Sequence, residues 1–253
     1  SDFGIEESYG QAAKRFEEHY GWSVDRGLVR RVTQVAAKEA QAWEESRLEV
    51  EEAAFSESLE WRPGGDQKLV EMDGCEIRTG TLSPAPEGGK TASRDLPRSQ
   101  RVERWRDVRI GVTHPLEQDE ATYVGGMDSY ETVGRRLFCA SVSEGLSSRT
   151  ETIIIADGAN GLMEELMVQF PNAMFILDRP HLVQHVHATA EAMGRVDEVK
   201  TDWANHLMER IDRGDVRGVI EEMCASRGVG HDRARQLAGS LRRFRECVHY
   251  DAY

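Results

Sequence analysis

Two short apolar runs, each ending in an aspartate and joined by a helical pattern, constrain this chain more than any other feature. Thr152 to Ala156 (TIIIA) is β-branched and apolar without alternation, as a strand buried on both faces must be. It runs into Asp157. Gly158 allows a tight turn, and Leu162, Leu166 and Phe170 then recur at helical spacing, with Glu164 and Glu165 turned outward. Pro171 stops that helix, and Ala173 to Leu177 is a second apolar run, ending at Asp178 before a helix that begins near Pro180. The unit is β-α-β. Such crossovers are right-handed and their strands parallel, so Asp157 and Asp178 are expected on one carboxyl edge of a sheet, where α/β folds place their ligand sites.

The chain before this unit supplies the rest of a sheet. Leu69 to Met72 reads as a strand running into Asp73-Gly74, with Cys75, Ile77 and Thr79 alternating as the next strand. Residues 80–100 are rich in Pro, Gly, Ser and charge and read as a loop; Arg104 to Val112 resumes alternation, with Val108, Ile110 and Val112 on one face. Ser129 to Glu144 is helical, with Tyr130, Val133, Leu137 and Ser141 on one side and Gly145 past its end. Three strands in an antiparallel meander, then helix, strand, helix, strand, is the order of a ribonuclease H-like core: a mixed five-stranded sheet covered by helices. In that arrangement the first strand lies beside the fourth, and Asp73 meets Asp157.

Around this core, at 62–194, the pattern predicts helical segments at 1–61 and 195–253. Ala12, Ala13, Phe16 and Tyr20 mark one N-terminal helix, closed by Gly21. Ser23 is placed to cap a second, which is expected to bury Leu28, Val32 and Val35 and to present Arg26, Arg30, Arg31, Thr33 and Gln34 outward, as a recognition helix does. A plain helical hairpin with a solvated basic face fits equally. Glu39 to Glu60 is acidic and reads as a connecting helix. After Arg195 the stripes Trp203/Leu207/Ile211, Val219/Met223 and Leu237/Leu241/Phe244/Val248 predict helices broken at Gly214, Gly218 and 227–230.

The blocks VEMDG, IIIADGANGL, FPNAMFILDRPHLVQHV and RECVHYDAY together resemble successive blocks of bacterial insertion-sequence transposases with a DDE triad, most closely the ISKra type and more distantly the Mutator-like group. The resemblance runs from about Leu69 to the last residue. It implies that Asp73 and Asp157 are the first two catalytic carboxylates and hold Mg²⁺ or Mn²⁺, and that Asp178 and His181 support the site. It also implies an all-helical insertion before the third acid. The family's catalytic glutamate follows the segment that HYDAY resembles, so the third acid is expected to be missing; Glu221, Glu222 and Glu246 are the nearby substitutes. DNA at transposon ends would be the partner, with a homo-oligomer or a full-length transposase as further partners.

Carboxylates suit this chemistry because they hold divalent ions that activate water or a 3′-hydroxyl and stabilise a phosphoryl transition state. A formal net charge of −13 excludes a surface that is a nucleic-acid footprint throughout, so any DNA contact is local. Besides the N-terminal arginines, Lys90, Arg94, Arg98, Arg101, Arg104, Arg106 and Arg109 cluster on one loop and strand; a merely solvated loop fits the same charges. The four cysteines form no CxxC pair, no run spans a bilayer and no signal peptide is visible, so a reducing cytoplasm is expected. Asp178, His181 and His185 share one helical face, which raises zinc; imidazoles hydrogen-bonded within the protein are the simpler reading. Three functions stay open: a DDE transposase core inactive without its last acid, a non-catalytic DNA- or protein-binding regulator derived from one, and a metal-dependent nuclease using Glu222 or Glu246.

Overall fold

The computed structural model describes residues 8–55, 66–82, 101–118, 120–248 and 250, and the chain divides into two units, Ser1–Leu59 and Glu60–Tyr253. In the first, helix α1 (Tyr9–Tyr20) starts at Ser8, whose hydroxyl accepts from the Gln11 N–H, and ends where Gly21 takes a left-handed φ of 75°. Helix α2 (Arg26–Phe55) runs uninterrupted for 30 residues, so the expected second helix and acidic connector are a single element. Asp25, rather than Ser23, serves its start, accepting from the Gly27 N–H at 2.7 Å. The expected buried stripe is rotated too. Leu28, Val32 and Val35 are 41%, 47% and 55% exposed, while Val29, Thr33 and Ala36 are half-buried. The 12-residue α1 packs against the 30-residue α2, on which the Thr33 hydroxyl oxygen is buried. Arg26, Arg30, Arg31 and Gln34 remain exposed.

The second unit is α/β. Its five strands, β1 (Gln67–Leu82), β2 (Arg101–Pro115), β3 (Thr122–Gly126), β4 (Glu151–Ala156) and β5 (Met174–Leu177), form one mixed sheet in the order β3-β2-β1-β4-β5. β1 to β3 pair antiparallel; β1, β4 and β5 run parallel. Two expectations are corrected here. Asp73-Gly74 is not a turn but lies within β1, paired with Ile110 and Arg109, so the two expected strands are one; the third strand of the meander is β3, which the sequence pattern did not reveal. A ladder along β2 overrides the local turn preference of an Asp-Gly pair.

Helices α3 (Tyr130–Ser143) and α4 (Leu162–Gln169) pack together on one face of the sheet. Ser129 caps α3 through its hydroxyl on the Thr132 N–H. Gly111 of β2 lets α3 approach closely, since a Cβ there would sit 2.8 Å from a Leu137 methyl. Val70, Met72, Leu137, Ile154, Leu162 and Leu166 fill this layer, each burial worth about 1.5–3 kcal/mol. Lys68 is buried with them, 1% exposed, and its ammonium meets Glu144 at 2.9 Å.

Helix α5 (Arg179–Ala192) follows β5, and α6 (Asp197–Asp212), α7 (Val216–Ala225), α8 (His231–Arg243) and a 3-10 turn (Arg245–Cys247) complete the unit. Gly218 does not break a helix: it sits in the first turn of α7, where its N–H donates to Asp215. The three predicted stripes face inward, apart from half-buried Trp203, which lies under the Arg195 guanidinium. α8 packs on α5 and α7, and Phe244 just beyond it stacks on Phe175 of β5. The C-terminal helices therefore belong to the same unit as the sheet. No helix among the described residues is long and apolar enough to cross a membrane.

Candidate active site

Register alone brings the two aspartates together. Met72 of β1 lies opposite Ala156 of β4, and Asp73 and Asp157 are the next residues on each strand, on backbones about 4.8 Å apart. Leu177 of β5 also lies opposite Ala156, and the Asp178 N–H donates to the Ala156 carbonyl at 2.8 Å. Asp157 and Asp178 thus follow the carboxyl ends of β4 and β5, beside Asp73 in the middle of the longer β1. Side chains alternate along β1 and β2: Met72 and Gly111 face α3, so Asp73 and Ile110 face the other way. That opposite face is open. Glu71, Asp73, Cys75, Ile110, Asp157, Asp178, His181 and Gln184 line a cleft of about 650 Å³ on it, with Ile110 and Tyr123 52% and 71% exposed.

Each acid has one oxygen committed to backbone. Asp73 accepts from the Gly74 N–H at 2.7 Å, Asp157 from the Ala159 N–H at 2.9 Å, and Asp178 caps α5 by accepting from the His181 N–H at 3.2 Å. Among the described residues the second oxygens of Asp73 and Asp157 have no hydrogen-bond partner. At Gly158 a Cβ would lie 3.0 Å from the Phe244 ring, so a larger residue would make that ring give way.

Behind the acids, three side chains form a line. His181 and His185, one turn apart on α5, bring their Nε2 atoms to 2.9 Å, and the Arg233 guanidinium reaches His185 Nδ1 at 3.2 Å. Burial holds the His185 pKa below its usual value, reinforced by His181 and by Arg233 and opposed by Asp157. His185 is therefore neutral in the fold and protonates more readily when unfolded. Stability is full above the unfolded value of about 6.5 and falls as pH drops from there to the folded pKa. The melting temperature should decline between pH 7 and 5 more steeply in the wild type than in His185→Phe; equal slopes would show that His185 carries no such linkage. The Glu164 carboxyl, held low by its hydrogen bond to Arg243, acts in a separate window, below its ordinary value of 4.5.

The other expected site residues lie elsewhere. Glu222 pairs with Arg210, Glu221 with Arg217 and Glu246 with Arg245; all three are exposed and none lines the cleft. Among the described residues no three His, Cys, Asp or Glu side chains are grouped to hold a metal. Asp178, His181 and His185 share a face, but the Arg233 cation occupies His185 Nδ1. Arg98 lies outside the described residues; Arg101 opens β2, opposite Leu82. Arg104 and Arg106 are exposed on the same face of β2 as Ile110, whereas Arg109 faces the other way, stacked 4.1 Å over Tyr130 and bonded to Asp107 and the Asp128 carbonyl.

Sequence reasoning missed Glu71, two residues before Asp73 on the same strand face, and Arg233, which reaches the site from 48 residues away. Period-two alternation around Asp73 signals the first; nothing local signals the second. No family model matches the chain, and no curated protein matches it.

Proposed function

We propose that the second unit is the catalytic core of a DDE-type transposase, a ribonuclease H-like domain that holds a DNA phosphodiester against Asp73 and Asp157. The observation that carries this reading is that Asp73 and Asp157, each following a paired residue of neighbouring parallel strands, line one open cleft. Strand order with a central β1 flanked by β2 and β4 agrees with it. Two carboxylates with one spare oxygen each fit Mg²⁺ or Mn²⁺, ions that accept few protein ligands and complete their shell with water and substrate phosphate. Such an ion would supply Lewis-acid activation of the attacking oxygen. Asp178 holds the start of α5, and with it His181, beside the acids. Arg104 and Arg106 extend along the same strand face, about 13 Å from Ile110 to Arg106, and suit a phosphate track leading to the cleft. On the first unit, Arg26, Arg30, Arg31 and Gln34 form a second exposed row for DNA.

A second reading, a non-catalytic DNA- or protein-binding regulator derived from such a core, is favoured by one observation: no third ligand joins the two acids among the described residues. Duplex DNA binding measured across salt and Mn²⁺ concentrations tests the first reading. Mn²⁺ should strengthen binding through Asp73 and Asp157, and either Asp→Asn change should remove that increment. The Arg104→Ala/Arg106→Ala double variant should lower the slope of log K against log salt by about 2. Mn²⁺-independent binding with an unchanged slope would leave the cleft without a role in DNA contact and favour the regulator.

A further inference from the structure

We propose that Arg233 and His185 set the tautomer of His181, holding its ring as a neutral Nδ1–H donor to a phosphodiester oxygen in the acid cleft. The proposal rests on the phosphodiester reading of that cleft and adds a pair of positioning residues to it. The argument starts from the one group whose role is not negotiable. A guanidinium only donates, so at 3.2 Å from Arg233 Nη2 the His185 Nδ1 must be the acceptor. A neutral His185 then carries its proton on Nε2. That atom lies 2.9 Å from His181 Nε2, which must accept in turn. The remaining proton of a neutral His181 is on Nδ1, the less populated form of a free histidine side chain.

The surroundings agree with this assignment. His185 is held neutral by burial and by the cation beside it; a second proton on His181 would set two donors against each other at Nε2, and one on His185 would face the Arg233 guanidinium. His181 Nδ1 has no hydrogen-bond partner among the described residues, and its ring lines the cleft together with Asp73, Asp157 and Asp178. Those carboxylates only accept when ionised, so a ring donor among them adds what a phosphate oxygen requires. Arg233 stands on α8, so the C-terminal helices take part in defining the chemistry of the sheet edge.

Ring ¹⁵N shifts of the uniformly ¹⁵N-labelled, full 253-residue chain test this directly. The unliganded protein should show His181 protonated at Nδ1 and His185 at Nε2. Arg233→Glu replaces the donor with an acceptor and should reverse both rings; Arg233→Lys, still only a donor, should keep them; His185→Phe should return His181 to Nε2–H. His181 protonated at Nε2 in the wild type, or rings unmoved by Arg233→Glu in a folded variant, would overturn the relay. Thymidylyl-thymidine, a dinucleoside phosphodiester, added with Mg²⁺ should then shift His181 Nδ1 in the wild type and not in Arg233→Glu. If the Gly158 and Ala159 amides respond but Nδ1 does not, the donor role is wrong while the phosphodiester reading stands. If neither responds, that reading is wrong and the donor role falls with it.

Discussion

Glu144→Ala should cost about 3 kcal/mol of stability, because it leaves the Lys68 ammonium buried without a counter-charge. Glu144 lies just past α3 and Lys68 at the start of β1, so this pair ties the helix layer to the central strand. A buried pair is weak evidence of net stabilisation, since desolvation of both ions offsets much of their attraction. Breaking it is another matter: the desolvation remains and the attraction is gone. For a unit of this size the melting temperature should fall by about 10 °C. Replacing both partners, as in Lys68→Met/Glu144→Leu, removes the charge as well as its partner and should restore most of the loss. Thermal unfolding of the two variants decides the point. A single variant within about 2 °C of wild type would mean that the lysine head finds water or another partner.

The second large effect concerns the acids. Two-metal phosphoryl transfer needs ions held about 3.5–4 Å apart. Asp73 and Asp157 line one cleft, with no third ligand grouped beside them among the described residues. The 253-residue chain should therefore nick supercoiled plasmid slowly or not at all in Mg²⁺ or Mn²⁺. Asp157→Asn should still lower its Mn²⁺ affinity, by at least about tenfold. Rapid nicking that disappears with Asp157→Asn would contradict this expectation. It would then direct attention to Glu71, the carboxylate that lines the same cleft, rather than to Glu222 or Glu246, which are paired with arginines outside it.

What could be read from the sequence follows from how local its causes are. Thr152–Ala156 and Ala173–Leu177 announce themselves as strands because burial on both faces demands unbroken apolar runs, and the aspartates that end them fall on the sheet edge by topology alone. Ser129, Gly21 and the stripe Val133/Leu137/Ser141 act within a turn or two and were equally legible. The Asp73-Gly74 pair reads as a turn because that is its local preference, whereas the antiparallel ladder with β2 holds it extended. β3 escaped notice because TYVGG is short and carries two glycines, with only Val124 buried. Leu28, Val32 and Val35 show that helical periodicity reports an apolar face without reporting whether a partner covers it. Arg233 could not have been found at all, since its effect on His185 exists only after α8 packs on α5.

The unbroken length of α2 has a consequence of its own. At 1.5 Å per residue, its 30 residues make a rod about 45 Å long, against about 18 Å for α1. Residues 26–38 contain four basic and no acidic side chains, while residues 39–55 contain six acidic and one basic. This is the reverse of what the helix's own peptide dipoles favour, so the charges do not serve the helix. They make it an electrical lever, attracted at one end and repelled at the other by any polyanion. A nucleic acid, the partner proposed above, would draw the arginine end inward and push the glutamate end away, so that the rod would stand off the duplex rather than lie along it. Approach is thereby given a direction before any contact forms.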